Sequence, residues 1–166
     1  GHLSQGASTI TMQVARNFFL SNEKTFSRKI YEVLLAWEIE SQLTKDKILE
    51  IYMNQIFLGQ RAYGFSSAAQ IYFGKELKDI TIAESAMLAG LPKAPSAYNP
   101  VTNFKRAKVR QEYILQRMRD LGYINTEEYQ KAMAEELHIR GLGNEFAVRA
   151  DFPAEMVRQL LFSQYG

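Results

Sequence analysis

The sequence predicts an all-α fold, on three observations. Apolar residues recur at spacings of three and four, helix-capping signals punctuate the chain at Thr44, Thr81 and Asn125, and strand-like alternation is scarce. A length of 166 residues suits one domain with a real core, and 46% hydrophobic against 23% charged residues describes a folded chain rather than a disordered one.

Taken in order, Ser8 and Thr9 follow Gly6 and open a first helix. Residues 28 to 43 place Ile30, Val33, Leu34, Trp37 and Leu43 on a helical repeat, and Thr44 can cap a second helix running toward Gly59. Thr81-Ile82-Ala83-Glu84 is a capping-box pattern; the alanine-rich helix it starts should stop near Gly90 and Pro92, and its small residues allow close packing. Residues 105 to 120 read as a basic amphipathic helix with Val109, Leu115 and Met118 inward. Asn125-Thr126-Glu127-Glu128 opens another that should fail near Gly141. Gly141-Leu142-Gly143 reads as a loop, and Phe152 to Tyr165 as a last helix leading into a linker. No internal repeat or low-complexity run interrupts this order.

Composition excludes several functions. There are no cysteines for disulfides or thiolate metal sites, and His2 and His138 stand too far apart to suggest a metal. A net charge of +2 gives no general reason to expect nucleic acid; the six basic residues from Lys105 to Arg119 have only Tyr113 interleaved and suit a solvated helix face. The longest apolar stretch, Ile48 to Leu58, is broken by Glu50, Asn54 and Gln55 and is no membrane span. Ile56, Phe57, Leu58, Tyr63, Phe65, Tyr72 and Phe73 read by spacing as core, a membrane-facing patch being the alternative.

Chemistry concentrates in Gly6-Ala7-Ser8-Thr9-Ile10-Thr11-Met12-Gln13-Val14-Ala15-Arg16-Asn17 and in Arg28-Lys29-Ile30-Tyr31-Glu32. Hydroxyls and backbone N–H groups at a helix start suit a phosphate or pyrophosphate, although an ordinary N-cap uses the same residues. Arg28 and Lys29 fall in a helix's first turn, where the macrodipole disfavours cations by ~0.3–1 kcal/mol each. Glu32, four and three residues on, shares their face, but the base-before-acid order is the weaker one for a helical ion pair. A phosphate site and a surface salt bridge stand level on spacing alone.

The stretch Gly6 to Asn17 resembles the motif Gly-x-Ser-Thr-(Ile/Leu)-Thr-Gln-Gln-x-x-Lys-Asn of the family 51 peptidoglycan glycosyltransferases, and Arg28-Lys29-x-x-Glu32 resembles their next motif. Lys47 through Asn54 with Gly59 is similar to the fourth, and Ala83 through Pro95 with Tyr98-Asn99-Pro100 to the fifth. The chain departs at Met12, where the family usually has Gln, and at Arg16, where it often has Lys. Nothing before Gly6 matches the first motif, whose Glu is the family's general base, so that residue is expected upstream of residue 1.

The resemblance, which extends to the class A penicillin-binding proteins of the 1a type, implies a lysozyme-like all-α fold with a smaller lobe leaning on the membrane. It implies a glycosyltransferase domain over 1–150, with 151–166 as last helix and start of a linker toward a transpeptidase domain. The activity implied is inverting polymerisation of lipid II with release of undecaprenyl pyrophosphate, with no cofactor beyond a loosely held divalent cation (Mg or Mn) at the pyrophosphate. Carried over by position, Glu32 is a catalytic carboxylate, and Ser8, Thr9, Gln13, Arg16, Asn17, Arg28, Lys29 and Lys93 contact the substrate. Implied partners are lipid II, the growing glycan strand, the membrane surface and moenomycin-type inhibitors, not nucleic acid, at the periplasmic face of the bacterial inner membrane, with an anchor upstream. Without its general base the 166-residue chain is expected to bind better than it reacts. A glycan hydrolase and a non-catalytic lipid-pyrophosphate-binding fragment are the rival readings.

Overall fold

The computed structural model describes residues 8–19 and 26–141. Helices run over Ile10–Phe19 (α1), Phe26–Gln42 (α2), Lys45–Gln55 (α3), Phe65–Phe73 (α4), Ile82–Gly90 (α5), Phe104–Asp120 (α6) and Thr126–Ala134 (α7), with single 3₁₀ turns at Leu77–Asp79 and Leu91–Lys93. Among the described residues there is no strand, only one isolated bridge between Phe57 and Tyr63.

Local chemistry sets most helix starts. Thr44 accepts from Lys47 N–H, and full capping boxes form at Thr81 with Glu84 and at Asn125 with Glu128. Each satisfies donors that a bare helix end leaves unpaired, a contribution of about 1 kcal/mol. Glu84 does more than cap: its buried carboxylate also accepts from Lys75 Nζ at 2.7 and 2.9 Å, pinning the segment before α5 to the core.

The core lies where α3, α4, α5 and α6 meet. Ile48, Leu58, Tyr72, Met87, Leu88 and Leu115 are almost fully buried in it. Small residues bring α5 and α6 close: Gly90 has the Arg110 stem where a Cβ would point, and Gln111 Nε2 donates to Ala83 O at 2.7 Å. Gly59 plays the same part between α3 and α4, since a Cβ there would meet the Tyr72 hydroxyl. The fourth and fifth motifs are thus largely framework.

Several expectations need correction. Val109 does not point inward but is 62% exposed, because Ala107, Gln111 and Leu115 set the buried stripe and Val109 lies about 200° round from its neighbours on it. In α2 the apolar stripe of Ile30, Val33, Leu34 and Trp37 is half exposed or more, while Glu32 and Ala36 face α1 and the interior. The helix opened at Asn125 ends at Ala134 rather than near Gly141. Beyond it the chain is extended, with Leu137 and Ile139 buried, Glu136, His138 and Arg140 out, and Arg140 N–H donating to Tyr72 O. That alternation of period two is the strand-like signal the helical reading passed over. The aromatic segment divides: Ile56, Leu58, Tyr72 and Phe73 are core, whereas Phe57 and Tyr63 stack on each other at the surface. The calls on the 142–143 loop, the 152–165 helix and the 150/151 boundary lie outside the described residues.

Candidate active site

The Gly6–Asn17 and Arg28–Glu32 motifs meet because α1 packs along α2. Their side chains enclose a cavity of about 420 Å³ lined by Ser8, Gln13, Arg16, Arg28, Lys29 and Glu32. Glu32 is 1% exposed. Lys29 Nζ lies 2.9 Å from its Oε2 and also donates to Ser8 Oγ at 2.8 Å; Arg28 Nε lies 3.3 Å from Oε1. The ion pair anticipated as an alternative does form, but with its carboxylate buried and not at the surface. A carboxylate taken out of water needs compensation, and here two cations on its own helix supply it.

Oε1 of Glu32 faces Arg28 Nε in this ion pair without accepting a well-aligned hydrogen bond. Arg16, Arg28 and Lys29 set three positive charges against one negative, a surplus of two. Such a pocket suits a dianion better than a neutral sugar. Arg16 also reaches the region of Tyr52, whose hydroxyl is pushed up by burial and partly offset by the Arg16 charge.

Other predicted site residues are placed differently. Thr9 caps α1, accepting from Met12 N–H at 3.1 Å, and does not line the cavity. Asn17 is exposed on α1 and Met12 half-buried; neither lines it. Lys93, on the second 3₁₀ turn, borders a separate cleft with Tyr98, Arg106 and Arg110. Sequence reading missed Glu40, which accepts from Thr11 Oγ1 at 2.5 Å and from Lys45 Nζ at 2.7 Å and so ties α1 to α2. No local signal could have found a pairing across 29 positions.

The lining residues do not fit a protein-held divalent ion: they offer a single carboxylate, already flanked by two cations, and among the described residues no acidic or histidine cluster could hold a metal.

Residues 1–119 match the family model described as Transglycosylase. The chain belongs to the transglycosylase family. This transglycosylase is 60% identical over all 166 residues to penicillin-binding protein 1A of Neisseria meningitidis serogroup A, and spans 21% of that protein's length. A Cupriavidus necator protein with a provisional transglycosylase name is 67% identical over 138 residues, 83% of this chain and 60% of that one. The crystal structure of penicillin-binding protein 1A from Haemophilus influenzae matches with a TM-score of 0.57 at 36% identity, over 96% of this chain and 20% of that one. The motif resemblance and the all-α fold class both hold, and the chain is a transglycosylase domain of the penicillin-binding protein 1A kind.

Proposed function

We propose that this transglycosylase domain polymerises lipid II into glycan strands with release of undecaprenyl pyrophosphate. The observation that carries this reading is the buried Glu32 held between Arg28 and Lys29 in a cavity with two surplus positive charges. In the transfer, the acceptor sugar's 4-hydroxyl oxygen bonds to the donor's anomeric carbon as the bond to the pyrophosphate oxygen breaks, and the hydroxyl's proton passes to the family's general-base Glu, which is none of the residues lining this cavity. Negative charge grows on that leaving oxygen, and Arg16, Arg28 and Lys29 are set to stabilise it without rearrangement. Ser8 and Gln13 add neutral hydrogen-bonding groups beside them. Glu32 keeps the two flanking cations in register; Thr9 acts through the start of α1 rather than by contact.

The same reading places the domain's work at the periplasmic face of the inner membrane, where its lipid-linked substrate resides. Among the described residues no helix is long and apolar enough to cross a membrane. The exposed apolar residues of α2, with Trp37 76% exposed, suit contact with lipid or with another part of the parent protein. Turnover of lipid II by the full-length parent protein, compared with its Glu32→Gln variant, tests the proposal. Loss of glycan product with an unchanged melting temperature supports it; wild-type turnover removes Glu32 from the site, and cleavage of finished glycan instead makes the protein a hydrolase.

A further inference from the structure

Outside the Glu32 cavity, α6 borders two adjoining hollows that together form a groove. One, of about 530 Å³, is lined by Lys93, Tyr98, Arg106, Val109, Arg110 and Tyr113. The other, of about 460 Å³, runs on past the start of α6 from Thr102 to Lys105 and shares Arg106 and Val109. Lys93, Lys105, Arg106 and Arg110 thus line the groove, and no carboxylate does. Among the described residues none of these cations forms an ion pair.

Arg110 is held in place by the fold itself. Its stem lies against Gly90 of α5, 3.0 Å from where a Cβ would stand. Its guanidinium carbon is 4.9 Å from the Tyr113 centroid and 6.0 Å from that of Tyr98. Arg106 and Lys93 reach the same Tyr98 ring, at 5.5 and 6.0 Å. The aromatic faces attract these cations but do not cancel their mutual repulsion. Lys105 and Arg106 also lie in the first turn of α6, where the helix dipole opposes them. Arg110 Nε is buried with no hydrogen-bond partner among the described residues, a donor that a folded chain ordinarily pairs. The first turn of α2 breaks the same rule with Arg28 and Lys29, and there Glu32 and an anion-suited cavity account for it.

Spacing and walls select an acidic peptide among the anions. Arg106 and Arg110 are one helical turn apart, about 6 Å along the axis. In an extended chain, side chains on one face recur every second residue, at about 6.6 Å, so carboxylates at alternate positions match the two arginines in turn. From Phe104 to Tyr113 the helix rises about 14 Å, the reach of about five extended residues. Val109 and Tyr113 are 62% and 52% exposed and present apolar surface to the groove, which a bare phosphate would not use. Arginine beside exposed tyrosine is also the pairing that carries most binding energy at protein interfaces. A neutral ligand would leave the cations uncompensated. A membrane surface fits less well, since the cations fold over Tyr98 in a concavity instead of splaying outward.

We propose that this groove docks an acidic segment of a partner protein, bound extended, with alternate carboxylates on Arg106 and Arg110 and an apolar side chain on Val109 and Tyr113. The proposal goes beyond the reaction at the Glu32 cavity and does not rest on it. The test is an NMR titration of the 166-residue chain with the peptide acetyl-Ser-Glu-Ser-Glu-Ser-Leu-Ser-amide. Its comparators are the same peptide with Gln for each Glu, a reordered peptide with the two glutamates adjacent, inorganic pyrophosphate, and vesicles of seven parts phosphatidylcholine to three of phosphatidylglycerol. The acidic peptide is expected to shift the Arg106 and Arg110 Nε–H and Tyr113 ring signals, with the Gln peptide about tenfold weaker or more. Arg106→Ala, at an exposed position, should weaken the peptide about tenfold without moving the melting temperature, and Arg110→Lys should weaken it less than Arg110→Ala. Absence of these shifts, equal binding of the Gln or reordered peptide, tighter binding of pyrophosphate at these signals, or their capture by vesicles overturns the proposal. So does unchanged affinity in Arg106→Ala. Glu32→Gln should leave the titration unchanged; loss of binding there would seat the peptide in the other cavity and overturn the proposal.

Discussion

The hydroxyl of Thr11 donates to the carboxylate of Glu40 at 2.5 Å, from the middle of the Gly6–Asn17 motif to a helix position eight residues beyond Glu32. Thr11 is buried, and Lys45 holds the other carboxylate oxygen. This contact fixes the register of α1, with Gln13 and Arg16, against α2, with Arg28, Lys29 and Glu32. Glu40 is thus a positioning residue. Glu40→Ala in the full-length protein should lower kcat about tenfold or more with KM little changed, because small misplacements of aligned groups are expensive in rate. Glu40→Gln should recover most of that, since an amide oxygen still accepts from Thr11; equal loss in both variants would point to Lys45 instead.

The same residue gives a pH signature. Lys45 first, and Thr11 second, hold the Glu40 carboxyl below its ordinary value of 4.5. Its folded pKa is depressed, so its stabilising contribution is present above 4.5 and disappears as pH falls through the lower folded value. The acid limb of the unfolding midpoint should therefore be shallower in Glu40→Gln than in wild type.

Arg28→Ala should weaken a moenomycin-type phosphoglycolipid by ~1.5–3 kcal/mol, the range for a charge-assisted hydrogen bond. The variant should also lose stability, because Glu32 stays buried with only Lys29 beside it. Calorimetric titration together with thermal melting separates the two effects. An unchanged dissociation constant with a lowered melting temperature would make Arg28 purely structural.

Tyr72 is buried and donates to Leu58 O at 2.8 Å, and burial pushes its hydroxyl up to about 12. Its pKa is raised on folding, so its contribution is complete below pH 10 and lost as pH rises toward 12. Tyr72→Phe should cost about 0.5–1.5 kcal/mol at neutral pH and flatten this alkaline loss in denaturant titrations.

Two positions in the turn between α3 and α4 should respond with opposite sign. Arg61 has a φ of +60° without being glycine, so Arg61→Gly should gain about 1 kcal/mol. Gly64, with a φ of +80°, would bring a Cβ to 2.5 Å from Asn54 O. Gly64→Ala should therefore cost at least about 2 kcal/mol in chemical denaturation.

What the sequence determined by itself is what acts within one helical turn. Thr44, the Thr81–Glu84 and Asn125–Glu128 boxes, and the Arg28-Lys29-Glu32 face were legible because each joins groups three or four residues apart. The ordered motifs carried the family for the same reason: they are strings of neighbours. Tertiary structure alone decided which face of each helix turned inward. Periodicity assigns an apolar stripe to the interior, yet α2 buries Glu32 and exposes Trp37, since α1 packs on the side where paired charges make burial of the carboxylate tolerable. Only packing joined Ser8 to Lys29 and Thr11 to Glu40 and gave Lys93 to the Tyr98 cleft. Those contacts span more than 20 positions or depend on how two helices cross, and neither propensity nor spacing carries information over that range.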